Sequence, residues 1–599
     1  MIHAETRSLL TDALTPPPDY IFDNGVATSF SLDLVTLLGL PLHLAWLGQA
    51  HGLGEELDLL ALMEALRRTA GQLTVFCQRG RTQVPRVASP LLGLLEGMIH
   101  EVSAKYGGAF HPKVWLLKFV AGTTGDAQLR LLVLSRNLTD DRSWDVSLRL
   151  DGIVGRKLVK ANKPLCTLLE QTIANSHKAL SEARAANLKH LMLATMHCEW
   201  QLPGAFEEVR FHVLGLGRKA VPWLPSPEGR QWDEFGVISP FASAEALKML
   251  GALSKRPLFL VSRPEELDKL AAPVPGGYET VWVMDEHAET SDAEEDVLGR
   301  ERGLHAKVFV GKRGRNTHLF VGSANATNAA LIAGHNVEFM AELIGRVSKV
   351  GRPGDWQGDD GIKQLLAPYQ RTVHGDVDED LWQLEQLDSV REHLCAAALS
   401  LHCAADENGW SVRLAGLDRA DMRDIAGWVW PVTVRSDCAV AIYASGVFQP
   451  LGTFAAQDIT SFAGFRLVLG KHELCFALNL PLYGAPENRE LEMLRSALRN
   501  RDGFVRYLLL LLDGMEAGGG GGGGCGGRSG AGRVGGDGLP LFEMLVRAYA
   551  RYPERLAQVS QLVARLRQGL PGLEDDILSP EFLEIWNCFE PAMKETGNT

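Results

Sequence analysis

The sequence predicts an α/β protein: two α/β/α repeats in tandem, then a small antiparallel β domain and a helical C-terminal region. Three observations lead there. One strand–turn–strand pattern occurs twice in the first 345 residues. Helical and buried-strand periodicities alternate around each copy, which implies a mixed sheet with helices on both faces. After Gly345 short alternating strands take over, followed by amphipathic helices.

At 599 residues the chain is long enough for several domains. The reading divides it at 1–200 (repeat one with N-terminal helices), 201–345 (repeat two), 346–384 (linker), 385–485 (β domain), 486–516 (helical), 517–538 (Gly-rich linker) and 539–599 (C-terminal helices). A 46% hydrophobic content reads as globular, and a net charge of −13 excludes a polybasic nucleic-acid binder, so any nucleic-acid contact must come from a local patch. Nine scattered cysteines form no CxxC pair, which argues against a disulfide scaffold or zinc ribbon and for a reducing compartment. The N-terminus lacks the basic and apolar regions of a signal peptide. The stretch Leu32–Leu47 is broken by Asp33, Pro41 and His43 and falls short of a membrane span. A soluble, cytoplasmic protein without a membrane partner is expected.

In chain order, Pro16-Pro17-Pro18 makes a rigid step. Helical periods cover Ser31–Leu38 and Glu55–Arg68. Leu73–Cys77 reads as a buried strand, and Gln78-Arg79-Gly80-Arg81 as a basic turn. Pro90–Ala104 reads as an amphipathic helix, and Lys163–Trp200 as a long helical stretch between the repeats. In repeat two, Val209–Leu214, Leu258–Val261 and Val281–Met284 read as strands, Ala244–Leu253 as a helix capped by Ser243, and Pro264–Leu270 as a helix. Residues 285–296 carry seven acids and no base; they read as a solvated loop or, more boldly, as a mobile lid that mimics a polyanion. Lys312, Arg313 and Arg315 fall on a hairpin tip ~15 Å from His305 by strand rise, outside catalytic reach. In the β domain, Trp410, Trp428 and Trp430 read as core. The run Gly518–Gly524 lacks the Gly-Lys-Ser/Thr ending of a phosphate loop and reads as a flexible linker. The tail helices, the last opened by Ser579-Pro580, suit docking on a partner or on their own chain.

The chemistry sits in the repeated pattern. The first copy runs His111-Pro112-Lys113 into a strand and returns to Ser135-Arg136-Asn137; the second runs His305-Ala306-Lys307 and returns to Ser323-Ala324-Asn325. Residues i and i+2 on a strand share a face, and the second strand of a hairpin returns to the start of the first. Each copy therefore gathers an imidazole, an ammonium, a hydroxyl and an amide: an anion site with a nucleophile or proton donor built in. No other histidine in the chain has Lys two residues on, and no other Asn has Ser two residues before. Two ordinary edge strands with polar ends would not give this coincidence.

The double pattern resembles the phospholipase D superfamily, in which two HxK…SxN half-sites meet across a pseudo-two-fold to make one active site. The superfamily's usual Asp, five residues after Lys, is replaced by Lys118 and Lys312. The tyrosyl-DNA phosphodiesterase branch and some nucleases of the superfamily also lack it, and HPKVWLLKF…LVLSRNLTDDRSWDVSL with HAKVF…FVGSANATNAAL looks like that branch. The resemblance covers roughly 70–150 and 255–345. It implies two pseudo-symmetric repeats of that fold and a two-step phosphodiester cleavage with no metal and no cofactor. One histidine attacks phosphorus and forms a phosphohistidine; the other protonates the leaving oxygen and then activates water. By resemblance His111 is the nucleophile and His305 the acid, an assignment that quasi-symmetry leaves reversible. Lys113, Lys307, Asn137 and Asn325 would hold the non-bridging oxygens, supported by Ser135 and Ser323. The superfamily often places a carboxylate on the next strand to orient a catalytic histidine; Glu338 and Asp145 are the candidates.

The expected substrate is nucleic acid, DNA first. The architecture also resembles bacterial phospholipase D-like proteins that accompany helicases in anti-phage systems, which implies a helicase or other defence partner by fold-level analogy. A repair enzyme removing peptide–DNA adducts is the second reading and a soluble phospholipase the third. From a different class, a non-catalytic nucleic-acid-binding subunit is set against the intact pair of half-sites.

Overall fold

A computed structural model gives the structure of the chain. It describes residues 9–45, 59–285, 302–498, 553–568 and 580–595, short of 123, 218–220, 228, 359–360, 372–377, 418–421, 423–424 and 443–447, together with positions 508, 545–546 and 578. The acidic run beyond Asp285 and the glycine tract lie outside the described residues.

The fold is α/β. In the first half, strands β1 (Tyr20–Ser29), β2 (Leu73–Gln78), β3 (Ile99–Val102), β4 (Val114–Ala121), β5 (Ala127–Leu134), β6 (Ser147–Val154) and β7 (Cys198–Trp200) form one sheet in the order β7-β6-β5-β4-β1-β2-β3. In the second, β8 (Phe206–Leu214), β9 (Glu234–Ile238), β10 (Pro257–Val261), β11 (Thr280–Met284), β12 (Val308–Arg313), β13 (Asn316–Gly322), β14 (Glu338–Arg346) and β15 (Leu366–Pro368) run β8-β14-β13-β12-β9-β10-β11-β15. Six strands of each sheet share order and sense. β1-β2-β3 and β9-β10-β11 are parallel runs, and antiparallel partners follow on the other side of β1 and β9.

Local chemistry accounts for these elements. Parallel strands are covered on both faces and need unbroken apolar runs; Leu73–Gln78 is buried at every position. The helix Leu34–Leu44 starts where the Asp33 carboxylate accepts from the Val35 and Thr36 N–H groups. The repeated hairpins close in matching register, Val114 against Val133 and Val308 against Val321. His-x-Lys therefore ends where each first strand begins, and Ser-x-Asn begins where each second strand ends.

The halves meet through backbone as well as side chains. Arg142–Trp144 pairs in parallel with Arg302–Leu304, and Phe110 bridges Val337. One apolar cluster takes Leu116, Val133 and Leu148 from the first sheet and Val308, Val321, Phe339 and Ala341 from the second.

Several elements differ from the sequence reading. Pro90–Ala104 is not one helix: a 3-10 turn, Pro90–Leu95, leads into β3. Gly93 and Gly97 weaken the helix, and the fully buried Ile99–Val102 completes the parallel edge beside β2. Lys163–Trp200 divides into helices Lys163–Ala174 and Glu182–Met196 and strand β7; the second helix starts where Ser181 Oγ accepts from Arg184 N. Residues 346–384, expected as a linker, hold 3-10 turns at Pro353–Gln357 and Ile362–Leu365, and β15, which pairs with β11. The later strands form a four-stranded and a six-stranded sheet. The latter takes in Leu32–Asp33 and Thr82–Gln83, with Ala477 paired to Thr82, so it is stitched to the first half. Helices Pro553–Gln568 and Pro580–Glu595 bury Leu556, Val563, Phe582 and Trp586 in one cluster with Leu37, Leu66 and Trp115. The tail docks on its own chain. Among the described residues no helix is long and apolar enough to cross a membrane.

Candidate active site

The two half-sites are joined by exchanged backbone bonds. His111 N donates to Val337 O, and His305 N to Trp144 O, both at 2.9 Å. In each case the accepting carbonyl belongs to the residue just before a carboxylate of the other half. The carboxylate therefore falls beside the imidazole. Glu338 Oε2 lies 2.9 Å from His111 Nδ1, and Asp145 Oδ1 lies 3.4 Å from His305 Nδ1. Each half supplies the carboxylate for the other half's histidine.

The remaining predicted residues join the same cluster. Lys113 Nζ donates to His111 O at 3.0 Å and Lys307 Nζ to His305 O at 2.8 Å, and both lysines are buried. Lys307 Nζ also donates to Ser135 O, across the halves, at 3.3 Å. Ser135 Oγ donates to Asp145 Oδ1 at 3.3 Å and accepts from Val146 N at 2.9 Å; Ser323 Oγ donates to Glu338 Oε2 and accepts from Phe339 N at 3.0 Å. The serines position the carboxylates that position the histidines. Asn137 and Asn325 keep a buried amide oxygen with no partner.

The electrostatics follow from burial. Desolvation, then repulsion from Lys307, holds Lys113 well below the usual lysine range, and desolvation also lowers Lys307. Desolvation lowers His111, with Glu338 pulling the other way; desolvation and the two lysines push His305 far down. Burial raises Asp145 against the pull of Arg136 and Lys307. Burial thus favours the neutral form of both imidazoles. With Glu338 Oε2 accepting the Nδ1–H of His111, Nε2 is left as a lone pair, which is the nucleophilic tautomer. A bound monoanion would restore charge to the two ammoniums that face it.

Some contributors were not legible in the sequence. Asn336 Nδ2 donates to Glu338 Oε1 at 3.3 Å, Gln78 Oε1 accepts from Phe110 N at 2.7 Å, and Phe30 packs edge-on against His111, centroids 5.2 Å apart. Their only signal was position, at strand ends that the parallel order brings to one edge. Lys118, where the superfamily's Asp would stand, pairs with Asp23 at 2.8 Å. The hairpin-tip bases form a polar turn: Lys312 Nζ lies 3.7 Å from Asp233, and Arg313 donates to Gln231 O. Among the described residues no cluster of His, Cys, Asp and Glu is arranged to hold a metal ion.

No protein-family model matches the chain, and no curated protein does. Solved structures with similarity include a yeast tyrosyl-DNA phosphodiesterase mutant, at 11% identity over 58% of this chain and 88% of that one, with a TM-score of 0.35. Phosphatidylserine synthase from Haemophilus influenzae Rd KW20 aligns at 9% identity over 64% of this chain and 91% of that one, TM-score 0.33. Polyphosphate kinase from Porphyromonas gingivalis aligns at 12% over 66% and 47%, TM-score 0.28. Values this low assign neither a family nor an activity.

Proposed function

We propose that this chain is a metal-independent phosphodiesterase of the phospholipase D type, acting on nucleic acid, with DNA as the first substrate. The crosswise pairing of His111 with Glu338 and His305 with Asp145 carries the reading. Two oriented imidazoles, one neutral and one protonated when the anion is bound, flanked by two buried lysines, supply a nucleophile, an acid and a counter-charge in one place. His111 Nε2 attacks phosphorus, forming an N–P bond as the P–O bond to the leaving group breaks. The bound diester anion brings a second proton onto His305, with Nδ1–H facing Asp145, and the resulting imidazolium delivers its Nε2 proton to the leaving oxygen and becomes neutral. His305 then takes a proton from water, whose oxygen attacks the phosphohistidine and frees His111. Lys113, Lys307, Asn137 and Asn325 hold the non-bridging oxygens throughout. A helicase or other defence-system partner belongs to the same proposal and rests on architecture alone.

The test is cleavage of labelled single- and double-stranded DNA in EDTA, with wild type beside His111→Ala and His305→Ala. The expected result is EDTA-resistant cutting lost in both variants. Cutting that survives both substitutions would sink the site; no cutting of DNA by wild type, with hydrolysis of another diester that both variants lose, would move the substrate away from DNA.

A further inference from the structure

Outside the histidine pair, the second half carries a ring and a guanidinium to which no role is yet given. Arg263 lies over the Phe241 ring, Cζ 5.2 Å from the centroid. Phe241 is 37% exposed. Both residues are tied to the site. Arg263 Nε donates to Leu304 O, the residue before His305, at 2.8 Å, and its charge reaches Lys307. Ser239 Oγ donates to Phe241 O at 2.7 Å and accepts from Ala326 N, just after Asn325, at 2.8 Å. The guanidinium's Nη2 is buried with no acceptor.

The first half repeats this arrangement in altered form. Arg81 lies over Phe30 at 5.1 Å, and Ser29 Oγ accepts from Leu138 N, just after Asn137, at 2.9 Å. There the elements are already engaged: Phe30 packs on His111, and Arg81 faces Asp388 at 3.5 Å. On the second side, a ring backed by a cation is left exposed.

We propose that Phe241 and Arg263 form a subsite for a planar aromatic group next to an anion: a nucleobase stacked on Phe241, with a neighbouring phosphate oxygen at the guanidinium. This rests on the phosphodiesterase reading and selects nucleic acid over lipid, because an acyl chain offers no face to stack. The cation over one face polarises the ring, and stacking on the other tolerates any base, so the subsite discriminates bases from no base rather than one base from another.

The test is affinity, measured by fluorescence anisotropy, for a labelled oligothymidylate and an abasic oligonucleotide of equal length and charge. Wild type should prefer the base-bearing strand by on the order of tenfold, given the usual worth of one stacked base. Phe241→Leu should bring that ratio close to one and leave affinity for the abasic strand unchanged, while Phe241→Trp keeps the preference; thermal melting checks that each variant is folded. A wild-type ratio near one, a preference that survives Phe241→Leu, or no binding of either strand would overturn the proposal. Failure of the phosphodiesterase reading is separate: it appears as wild type that prefers the base-bearing strand yet hydrolyses no diester.

Discussion

The exchanged carboxylates make a prediction that ordinary active-site mutagenesis would not. Glu338→Gln removes a charge from the second half, yet it should damage the histidine of the first. The perturbed contact is the 2.9 Å bond to His111 Nδ1. A hydrogen bond to a charged group is worth roughly 1.5–3 kcal/mol, so kcat/KM should fall by roughly 10–150-fold. Asp145→Asn perturbs His305 through a longer 3.4 Å contact from a carboxylate shared with Ser135 and Arg136, so about tenfold is expected. Leaving groups separate the two effects. A p-nitrophenolate leaves without an acid; an alkoxide does not. With His111 as nucleophile, Glu338→Gln slows diesters of both kinds, whereas Asp145→Asn slows the alkyl diester and leaves the nitrophenyl diester within about threefold of wild type. The paired readout is the imidazole nitrogen spectrum: Glu338→Gln should move the His111 resonances and leave those of His305 in place. The opposite leaving-group pattern would exchange the histidines' roles. A spectrum in which Glu338→Gln moves His305 alone would refute the crosswise arrangement.

Three further outcomes follow from the same structure. Burial holds Lys113 and Lys307 below the ordinary lysine range, and a bound diester should raise them again. Binding then takes up protons, so affinity is flat below the depressed values and falls as pH rises from them toward the restored ones; calorimetry in buffers of different ionisation heat reads the uptake, and its absence would contradict the assignment. On the outer face of the second sheet, bonds from His212 Nε2 and His318 Nδ1, at 2.8 and 2.7 Å, overcome the cost of burial and hold Glu342 at about 2. That depression from 4.5 stabilises the fold by about 3 kcal/mol above pH ~4.5, a contribution lost as pH falls toward 2, so Glu342→Gln should lower the neutral-pH denaturation midpoint and flatten the acid limb. Phe339→Ala should cost roughly 3–5 kcal/mol by urea denaturation, because the ring is fully buried between the halves and stacked on Phe211 at 5.8 Å.

The candidate site was legible where its chemistry is contiguous. His-x-Lys and Ser-x-Asn each lie within three residues, and the turn-back of a hairpin is a local property, so both quartets could be placed before any tertiary contact was known. The exchange between the halves could not: His111 and Glu338 are 227 positions apart, and no periodicity links them. Glu338 and Asp145 were read as candidates to orient a catalytic histidine, but which histidine each serves had to come from the bonds of His111 to Val337 and His305 to Trp144. The β3 segment was misread because Leu91, Leu94, Leu95 and Met98 fit a helical stripe; a helix there would have left the edge of β2 unpaired. Amphipathicity in the tail marked a buried face but not the surface that covers it, which is the first half's own core.

One physical logic runs through the assembly. Separately, each half presents a histidine without its carboxylate and a lysine whose charge has little to balance it. Joined, each backbone bridge brings a carboxylate to the other half's imidazole, and Lys307 reaches Ser135 O across the boundary. The apolar layer that seals the boundary also excludes water from both lysines, which lowers their pKa values and reserves their charge for an incoming anion. Packing, orientation and electrostatics are thus consequences of a single contact. Phe339→Ala should accordingly do more than destabilise: it should loosen both histidine–carboxylate pairs together, whereas Glu338→Gln and Asp145→Asn each loosen one. A Phe339→Ala protein that is weaker in urea but unchanged at both imidazoles would show that the site does not depend on the seal.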